Sequence, residues 1–596
     1  MTTVARSAFR HSLLPIIVVV SGRTANHGDL ALAHVFTRTE SCEYRTGRQN
    51  PMTKEKHNEV SMTVHEATYR LLRKLGLTTV FGNPGSTEQP FLKNFPKDFQ
   101  YVLGLQEASV VAMADGFAQA TQKPVLVNLH SGAGTGNGMC NIMTAFQNKT
   151  PLIITAGQQT REMILCDPLL TNREETMLPR PWVKWAYQPV RAQDVPGAIM
   201  RAYAAALQPP AGPVYISIPL DDWDQPALGD AVVRTVSSRY SPDPQRVALF
   251  AERIQKSKNP VLLYGPEIER SGGWDAAVKF AERLNAPVYI TPLSDRASFP
   301  QTHPQFRGMA PIAIGPLSKK LKGHDLIIVI GAQVFRYYPF VGGDYLPEGA
   351  ELLQVTNDPY DSAAAIVGDS LLSDAKLALE AFIDAVPVAK SRLALAPLSI
   401  DRKLPSPPNS PLTALEAFAA LSELRPDDAI LVNETASNFA DLLQCWPIVK
   451  PDSFYTFASG GLGWGSPAAV GVALAEKKME TGRAVVCAIG DGAIQYSVQD
   501  LYTAAQLKLK VIFIVPCNGE YAILKEFAVL EKTPNVPALD LPGLDVVATA
   551  RAFGCTGVTA NTTDEIKKEF AKALKADGPT VIGIPIARQE RALVAE

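Results

Sequence analysis

The sequence has little cysteine and no paired cysteine motif. Its 596 residues include seven cysteines, at positions 42, 140, 166, 445, 487, 517 and 555, and none of them forms a CxxC pair. Scattered single cysteines are typical of small buried side chains in a reducing compartment, and they argue against a disulfide framework or a zinc site. We therefore expect a cytoplasmic protein.

The chain also lacks an excess of charge of either sign. Its formal net charge is -2, and 19% of its residues are charged against 46% that are hydrophobic. A chain so close to neutral has no electrostatic basis for binding nucleic acid or an anionic membrane surface, so we expect neither partner. The composition is typical of a globular protein, and the length predicts several domains.

Near the N-terminus there is one apolar run, but it is short. Residues 13–20 (LLPIIVVV) have the length of a signal-peptide core and are too few to cross a bilayer. No clear cleavage site follows, and Met52 and Met62 offer alternative starts. We expect residues 1–61 to be a disordered extension or a wrongly assigned start, with a targeting segment as the alternative.

After residue 61, apolar strand segments alternate with helical segments in three blocks. This alternation predicts α/β domains with doubly wound parallel sheets. Polar, proline-containing segments at 240–244 and 396–411 separate the blocks, and the second of them reads as a linker. We therefore predict domains at residues 62–240, 245–395 and 412–590. The middle block has no GxGxxG fingerprint, so bound FAD or NAD is not expected.

Polar side chains follow two apolar strands in the third block. Asp491 lies in a Gly-Asp-Gly turn after residues 484–489, and Asn518 follows the strand that contains residues 511–515. Open α/β sheets bind ligands at the carboxyl ends of such strands. A carboxylate and an amide oxygen flanked by glycines suit a divalent metal that holds a phosphorylated cofactor. A tight turn explains an isolated Gly-Asp-Gly equally well, so this interpretation needs a second site.

The second site lies in the first block. It combines FGNPGSTE (81–88), a glutamate that opens a helix with small side chains (107–118), and a strand that leads through His130 into a glycine-rich loop (125–137). With LQEA, PLI-TAGQQTR, LPRP-VKW, GGLG, GDG and CNG-Y in the same order, these segments resemble the thiamine diphosphate-dependent enzymes. Within that superfamily the pattern is most similar to benzoylformate decarboxylase, and the resemblance covers residues 62–590.

The resemblance implies a fold and an activity. The three blocks become a pyrimidine-binding, a middle and a diphosphate-binding domain, with thiamine diphosphate and Mg²⁺ or Ca²⁺ as cofactors and without FAD. The implied reaction is the non-oxidative decarboxylation of an aryl 2-oxo acid to an aldehyde and CO₂. Because the family forms each site between two subunits, a homo-oligomer is expected, a dimer at minimum and a tetramer by analogy.

Roles for individual residues also follow from the resemblance. Glu107 is expected to hydrogen-bond the cofactor's pyrimidine ring, which promotes loss of the reactive proton. His130 and His303 are expected to transfer protons, since histidine titrates near neutral pH, and Ser86 is expected to bind the substrate carboxylate.

Three further sets complete the expected site. Residues expected to contact the cofactor besides Glu107 are Ser437, Gly460, Leu462, Asp491, Gly492, Ala493, Tyr496, Asn518 and Tyr521. The expected metal ligands are the side chains of Asp491 and Asn518 and the backbone carbonyl of Glu520. The expected substrate pocket consists of Ser86, Leu170, Leu524 and Phe527.

The sequence departs from the family pattern at several positions. Cys517 stands where an asparagine pair begins, and Ala436 and Ala493 stand where the relative has hydroxyl side chains. We expect cofactor binding to persist in weaker form. Two alternatives stay open at this point: a carboligase similar to acetolactate synthase, and a catalytically silent relative that binds the cofactor.

Overall fold

The computed structural model of the chain describes residues 62–389, 395–398, 404–406, 408–589 and 591–594. The expected extension, residues 1–61, lies outside the described residues, as do residues 399–403 and 407 of the expected linker. The described residues form three six-stranded parallel sheets with flanking helices. The predicted fold class of three doubly wound α/β units is confirmed. The domain limits stay predictions. Among the described residues, no helix combines the length and the apolar character that a bilayer crossing needs.

The first sheet lies between residues 79 and 219. Its strands are β1 (Thr79–Gly82), β2 (Gln100–Leu103), β3 (Val125–Leu129), β4 (Leu152–Gln158), β5 (Ala186–Tyr187) and β6 (Val214–Pro219). Its helices are α1 (Val64–Leu75), α2 (Gln89–Leu92), α3 (Glu107–Thr121), α4 (Ser131–Gln147), α5 (Arg161–Ile164) and α6 (Val195–Leu207). The strand order is β2-β1-β3-β4-β6-β5, so the loops after β1, β2 and β3 meet at one edge.

The second sheet lies between residues 260 and 372. Its strands are β7 (Pro260–Tyr264), β8 (Val288–Ile290), β9 (Phe306–Met309), β10 (Leu326–Ile330), β11 (Glu351–Thr356) and β12 (Asp369–Leu372). Its helices are α7 (Pro244–Lys256), α8 (Glu267–Arg270), α9 (Trp274–Leu284), α10 (Ile314–Lys320), α11 (Pro359–Ala363) and α12 (Ala375–Ala385). The strand order is β12-β11-β10-β7-β8-β9.

The third sheet lies between residues 430 and 585. Its strands are β13 (Ile430–Glu434), β14 (Phe454–Thr456), β15 (Val485–Ile489), β16 (Val511–Cys517), β17 (Thr556–Thr559) and β18 (Thr580–Pro585). Its helices are α13 (Ala414–Ser422), α14 (Phe439–Cys445), α15 (Gly465–Met479), α16 (Asp500–Gln506), α17 (Ala522–Leu530), α18 (Val546–Ala552) and α19 (Thr563–Ala573), with 3-10 turns at Ala436–Asn438 and Ala493–Tyr496. The order β14-β13-β15-β16-β18-β17 brings the ends of β13, β15 and β16 together.

Local sequence explains where these elements begin and why they pack. The strands at the sheet centres are apolar throughout and fully buried, as in Leu326–Ile330 of β10, because helices cover both faces of a parallel sheet. Helix α1 begins at a capping box in which Thr63 and Glu66 satisfy each other's backbone N–H groups. It ends at Gly76, whose φ of 72° suits glycine.

Helices α3 and α15 join the first and third sheets into one hydrophobic core. Their backbones approach so closely that a Cβ atom on Gly116 would lie 2.2 Å from the Ala468 carbonyl oxygen, and one on Gly471 would lie 1.9 Å from the Met113 carbonyl oxygen. The small side chains of α3 are therefore a packing requirement. The contact fixes the position of Glu107 at the start of α3 relative to the third sheet.

We expect the substitution Gly471→Ala to destabilise the protein by about 1–3 kcal/mol or more, because the added methyl group overlaps backbone atoms of α3. Gly197→Ala is the matched control, since Gly197 also lies in a helix but its Cβ would meet no atom within 4 Å. That control should be neutral or stabilise by about 0.5–1 kcal/mol. Thermal unfolding midpoints of the two variants test the packing, and equal midpoints would contradict it.

Candidate active site

The carboxyl ends of β1, β2 and β3 bring three of the predicted catalytic residues to one edge of the first sheet. Ser86 lies in the loop after β1, Glu107 begins α3 after β2, and His130 directly follows β3 as the N-cap of α4. The loop after β1 lies tightly against the histidine, since a Cβ atom on Gly85 would be only 1.9 Å from His130 Nδ1. Ser86 itself is exposed, which leaves its hydroxyl accessible to a ligand.

Glu107 is a buried carboxyl group held by two amides. Asn83 Nδ2 donates to Glu107 Oε1 at 3.2 Å, and Asn137 Nδ2 donates to Glu107 Oε2 at 3.0 Å. These two hydrogen bonds fix the orientation of the Glu107 side chain, since each of its oxygens accepts one of them. The two asparagines lie within the motifs of the sequence, but their role was not predicted.

His130 is oriented by a second buried carboxylate, Glu88. His130 Nδ1 lies 2.8 Å from Glu88 Oε2, and Glu88 is only 1% exposed. The same carboxylate accepts four further hydrogen bonds, from Gly85 N, Thr87 Oγ1, Ser131 N and Gly157 N. Because Nδ1 faces Glu88, we assign its proton there, which leaves Nε2 as the nitrogen for a substrate. The sequence analysis missed Glu88, which lies 42 residues before His130.

We expect Glu88→Gln to lower turnover by about 10²–10⁴-fold, the range for losing a positioned acid–base group or its orienting carboxylate. An amide at this position would turn an N–H group toward donors that need an acceptor. Glu282→Gln is the matched control, because Glu282 lies 3.4 Å from the other candidate histidine, His303. Steady-state kinetics of both variants check the assignment, which fails if the two lose activity equally.

At the third sheet, the structure brings Asp491 and Asn518 together. Asp491 Oδ1 accepts from Gly492 N at 2.9 Å, and its Oδ2 accepts from Gly519 N at 2.8 Å. Asn518 Oδ1 accepts from Glu520 N at 3.2 Å. Burial raises the pKa of Asp491, and the backbone donors oppose that rise. The predicted metal ligands thus lie on two adjacent loops, after β15 and after β16, which the hydrogen bond from Gly519 to Asp491 joins.

Glu520 does not offer its carboxylate to this site. That group pairs with Lys525 at 2.5 Å and with Arg588 at 3.5 Å. Its backbone carbonyl is the atom that the sequence predicted as a metal ligand. Among the described residues, no cluster of three or more His, Cys, Asp or Glu side chains could hold a metal by itself, so a metal here needs oxygen ligands of other kinds.

A buried glutamate that the sequence analysis missed holds the loop of the GGLG segment. Glu434, at the end of β13, accepts from Gly463 N at 2.7 Å and from Trp464 N at 3.0 Å, and it also accepts from Gly465 N. Burial raises its pKa to about 7, against the effect of these donors. The predicted cofactor residues Gly460, with a φ of 76°, and half-buried Leu462 belong to this loop.

The remaining predicted cofactor residues line the same edge. Gly492 and Ala493 follow Asp491, and Ser437 lies in the 3-10 turn after β13, which α17 contacts. Tyr496 is 54% exposed. Burial and a hydrogen bond to Tyr496 raise the pKa of Tyr521.

The predicted pocket side chains come from two parts of the chain. Leu524 and Phe527 lie on α17, where Leu524 is 45% exposed and the Phe527 ring lies 5.1 Å from the Tyr338 ring of the middle unit. Leu170 lies on the loop after α5 at the first sheet and is also 45% exposed. Tyr338 was not predicted from the sequence.

His303, the fourth predicted catalytic residue, lies in the loop before β9 of the middle unit. Its Nε2 contacts Glu282 at 3.4 Å, its Nδ1 accepts from Gln305 N at 3.3 Å, and its ring packs on Phe299 at 4.9 Å. All three partners belong to the middle unit. These contacts involve both ring nitrogens and orient the ring within the loop before β9, and the expected role of His303 in proton transfer stays a prediction.

Comparisons with known proteins agree with this geometry. Three family models match: the N-terminal thiamine pyrophosphate-binding domain of thiamine pyrophosphate enzymes at residues 62–177, their central domain at 247–382, and their C-terminal thiamine pyrophosphate-binding domain at 436–584. Benzoylformate decarboxylase of Pseudomonas aeruginosa is 46% identical over 531 residues, which cover 88% of this chain and 98% of that protein.

Two solved structures are similar over their whole length. Benzoylformate decarboxylase from Polynucleobacter necessarius superposes with a TM-score of 0.88 at 52% identity, covering 89% of this chain and 100% of that one. A 4-hydroxybenzoylformate decarboxylase from Rhodococcus jostii RHA1 gives 0.85 at 40% identity, with 89% and 100% covered. The chain therefore belongs to the thiamine diphosphate-dependent enzymes, in the group of benzoylformate decarboxylase. The resemblance predicted from the motifs is confirmed.

Proposed function

We propose that this chain catalyses the thiamine diphosphate-dependent, non-oxidative decarboxylation of an aryl 2-oxo acid, such as benzoylformate, to an aldehyde and CO₂. The observation that carries the proposal is one sheet edge that holds both a buried glutamate, Glu107, and a histidine oriented by a carboxylate, His130 with Glu88. The names of the similar decarboxylases support the aryl substrate.

The residues at the third sheet fit a metal that holds a diphosphate. Asp491 and Asn518 offer hard oxygen atoms, and Mg²⁺ commonly binds one or two carboxylates together with phosphate oxygens and water. The backbone directly before Asp491 is open, since a Cβ atom on Gly490 would meet nothing nearer than 3.9 Å. We propose Mg²⁺ or Ca²⁺ between these two loops, with the carbonyl of Glu520 as a further ligand.

Cys517, which stands where the family has an asparagine, is compatible with the proposed metal site. The thiol packs against the core near Gly583, with Sγ 3.3 Å from the Val515 carbonyl oxygen. Burial raises the pKa of Cys517 to about 12. Cys517 is thus a neutral core side chain at the end of β16, and the polar contacts of the loop come from the residues that follow it.

When bound, thiamine diphosphate supplies the nucleophilic carbon and the electron sink for the reaction. Glu107 would hydrogen-bond the pyrimidine ring of the bound cofactor, and the amides of Asn83 and Asn137 hold its carboxyl group in a fixed orientation. His130 Nε2 exchanges a proton with the oxygen of the substrate's keto group, while Glu88 holds the ring in place. The hydroxyl of Ser86 binds the substrate carboxylate. Apolar walls from Leu170, Leu524 and Phe527 surround the aryl ring and exclude water.

We further propose that the enzyme is a cytoplasmic homo-oligomer, with a dimer as the minimum and a tetramer as the expected form. Large apolar side chains on the loop beside the first sheet support it, since Leu165 and Leu169 are 92% and 90% exposed in the single chain. Exposed apolar groups of this kind are typical of surfaces that another protein covers. Light scattering of the purified protein measures the assembly.

The substrate proposal is tested by a panel of aryl and alkyl 2-oxo acids with added thiamine diphosphate and Mg²⁺. We expect aldehyde release to be faster with aryl acids, by the 10–200-fold that about 1–3 kcal/mol of pocket contacts gives. Preference for an alkyl acid would contradict the proposed substrate. Condensed hydroxy-keto products and bound FAD would instead favour a carboligase.

A further inference from the structure

The C-terminal segment contacts the loop after β16, which holds Asn518, and Arg588 makes the side-chain contacts. Strand β18 pairs with β16 up to Cys517 and Pro585, and Ile586 N then donates to the Cys517 carbonyl at 3.0 Å. The chain beyond β18 therefore passes directly beside the loop beyond β16. Arg588 lies on this segment, outside every motif that identifies the family.

Arg588 binds two successive carbonyl groups of the loop. Its Nε donates to the Asn518 carbonyl oxygen and its Nη2 to the Gly519 carbonyl oxygen, each at 3.1 Å. Its third nitrogen, Nη1, donates to Asp540 Oδ1 at 3.1 Å. A planar guanidinium group presents its donors in a fixed fork, so these contacts define the orientation of both peptide groups.

The same two peptide groups orient the proposed metal ligands. The peptide group whose carbonyl belongs to Asn518 carries the N–H of Gly519, which donates to Asp491 Oδ2 at 2.8 Å. The next peptide group, with the carbonyl of Gly519, carries the N–H of Glu520, which donates to Asn518 Oδ1 at 3.2 Å. Each peptide group is thus held by Arg588 on one side and holds a ligand oxygen on the other.

The contacts also distinguish the three carbonyl groups of the loop. The Asn518 and Gly519 carbonyls face Arg588, and that of Gly519 accepts a second hydrogen bond from Leu541 N at 2.9 Å. Among the described residues, Arg588 makes no hydrogen bond to the third carbonyl, that of Glu520. The carbonyl of Glu520 is also the one that we predicted from the sequence as a metal ligand.

We propose that Arg588 is a positioning residue for the metal site, acting through these two peptide groups on Asp491 and Asn518 and leaving the Glu520 carbonyl for the metal. The proposal rests on the metal site of the proposed function. Outer partners that orient ligands change metal affinity by about 10–100-fold when they are removed. We therefore expect Arg588→Gln to raise the Mg²⁺ concentration for half-saturation by about 10-fold or more.

The chain contains a matched control for this arginine. Arg483 Nε and Nη2 also bind two backbone carbonyls, those of Asp428 and Asp452, at 3.0 and 2.7 Å. It precedes β15, at the opposite edge of the sheet from Asp491. Arg483→Gln removes the same kind of contact in the same unit without touching the loop.

The experiment is a calorimetric titration of Mg²⁺ into the full-length protein, freed of metal by a chelator and supplied with saturating thiamine diphosphate. Wild type, Arg588→Gln, Arg588→Lys and Arg483→Gln are compared, each with its unfolding midpoint in the absence of ligand. A weaker Mg²⁺ affinity in Arg588→Gln, a smaller loss in Arg588→Lys and none in Arg483→Gln would support the proposal. Arg588→Lys retains the charge and serves if the glutamine variant fails to fold.

Two results would overturn the proposal. If Arg588→Gln binds Mg²⁺ like the wild type, or if both glutamine variants weaken binding equally, Arg588 does not position the ligands. If the wild type itself shows no Mg²⁺ binding, the proposed metal site is wrong, and the proposed role of Arg588 is then wrong as well. The wild-type titration separates these two cases.

Discussion

Replacing Glu107 with glutamine is expected to slow decarboxylation by about 10²–10⁴-fold and to slow exchange of the reactive cofactor hydrogen for deuterium along with it. Both oxygens of Glu107 accept hydrogen bonds from amide groups, of Asn83 and Asn137. A glutamine must turn its own NH₂ group toward one of these donors, so it loses the fixed orientation as well as the carboxyl group proposed to contact the pyrimidine ring.

His130→Ala is the comparison that separates the two roles. His130 contacts Glu88 and Thr87, and its proposed task begins only when the substrate is present. We expect this variant to lower decarboxylation while hydrogen exchange in the bound cofactor stays close to the wild-type rate. Quenched-flow exchange followed by NMR of the extracted cofactor measures it. Equal slowing of exchange in both variants would contradict the division of roles.

Replacing Asp491 with alanine is expected to abolish retention of thiamine diphosphate, with a loss of affinity beyond the 10–100-fold that is typical of outer partners of a metal. Asp491 is the proposed carboxylate ligand, and it also accepts the N–H groups of Gly492 and Gly519. The alanine variant therefore loses the negative charge that would balance the metal ion. It also loses the two hydrogen bonds that hold the backbone of Gly492 and Gly519.

Two further variants make this result specific. Asp491→Asn keeps an oxygen for one of the two backbone donors and removes the negative charge, so we expect it to fold and still bind the cofactor weakly. Asp577→Ala is the control for a remote aspartate, since Asp577 is 93% exposed and pairs with Lys510. Cofactor content after gel filtration is the measurement. Retention by Asp491→Ala would show that the metal site lies elsewhere.

Much of the architecture could be predicted because it depends on local sequence. Uninterrupted apolar runs such as Leu326–Ile330 indicate buried parallel strands, and polar residues directly after such runs, Asp491 among them, mark the edge where ligands bind. The family motifs then place Glu107 and His130 at the corresponding edge of the first sheet. These predictions required only short segments of the chain.

What could not be predicted depends on contacts between distant segments. Glu88 stands next to a recognised turn, but its pairing with His130 appears only when β1 and β3 lie side by side. Glu434 reads as the end of a strand, and its role as acceptor for the GGLG loop needs the fold of that loop. Arg588 lies 70 residues from Asn518 in the sequence.

The role of His303 stays a prediction that rests on the resemblance. Its loop resembled a family motif, and histidine chemistry suited the reaction, so proton transfer was expected of it. The structure surrounds it with Glu282, Gln305 and Phe299 of the middle unit. The contacts in the structure define the position of the loop, and the substrate that would test proton transfer by His303 is a separate molecule.

The central claim is that this chain decarboxylates an aryl 2-oxo acid by means of thiamine diphosphate. Its most direct test is to measure CO₂ and benzaldehyde released from benzoylformate by the full-length protein, first stripped of cofactor and metal, with and without added thiamine diphosphate and Mg²⁺. We predict equal amounts of the two products, formed only when both additions are present. Turnover by protein stripped of cofactor and metal, or no benzaldehyde from the fully supplied protein, would contradict the claim.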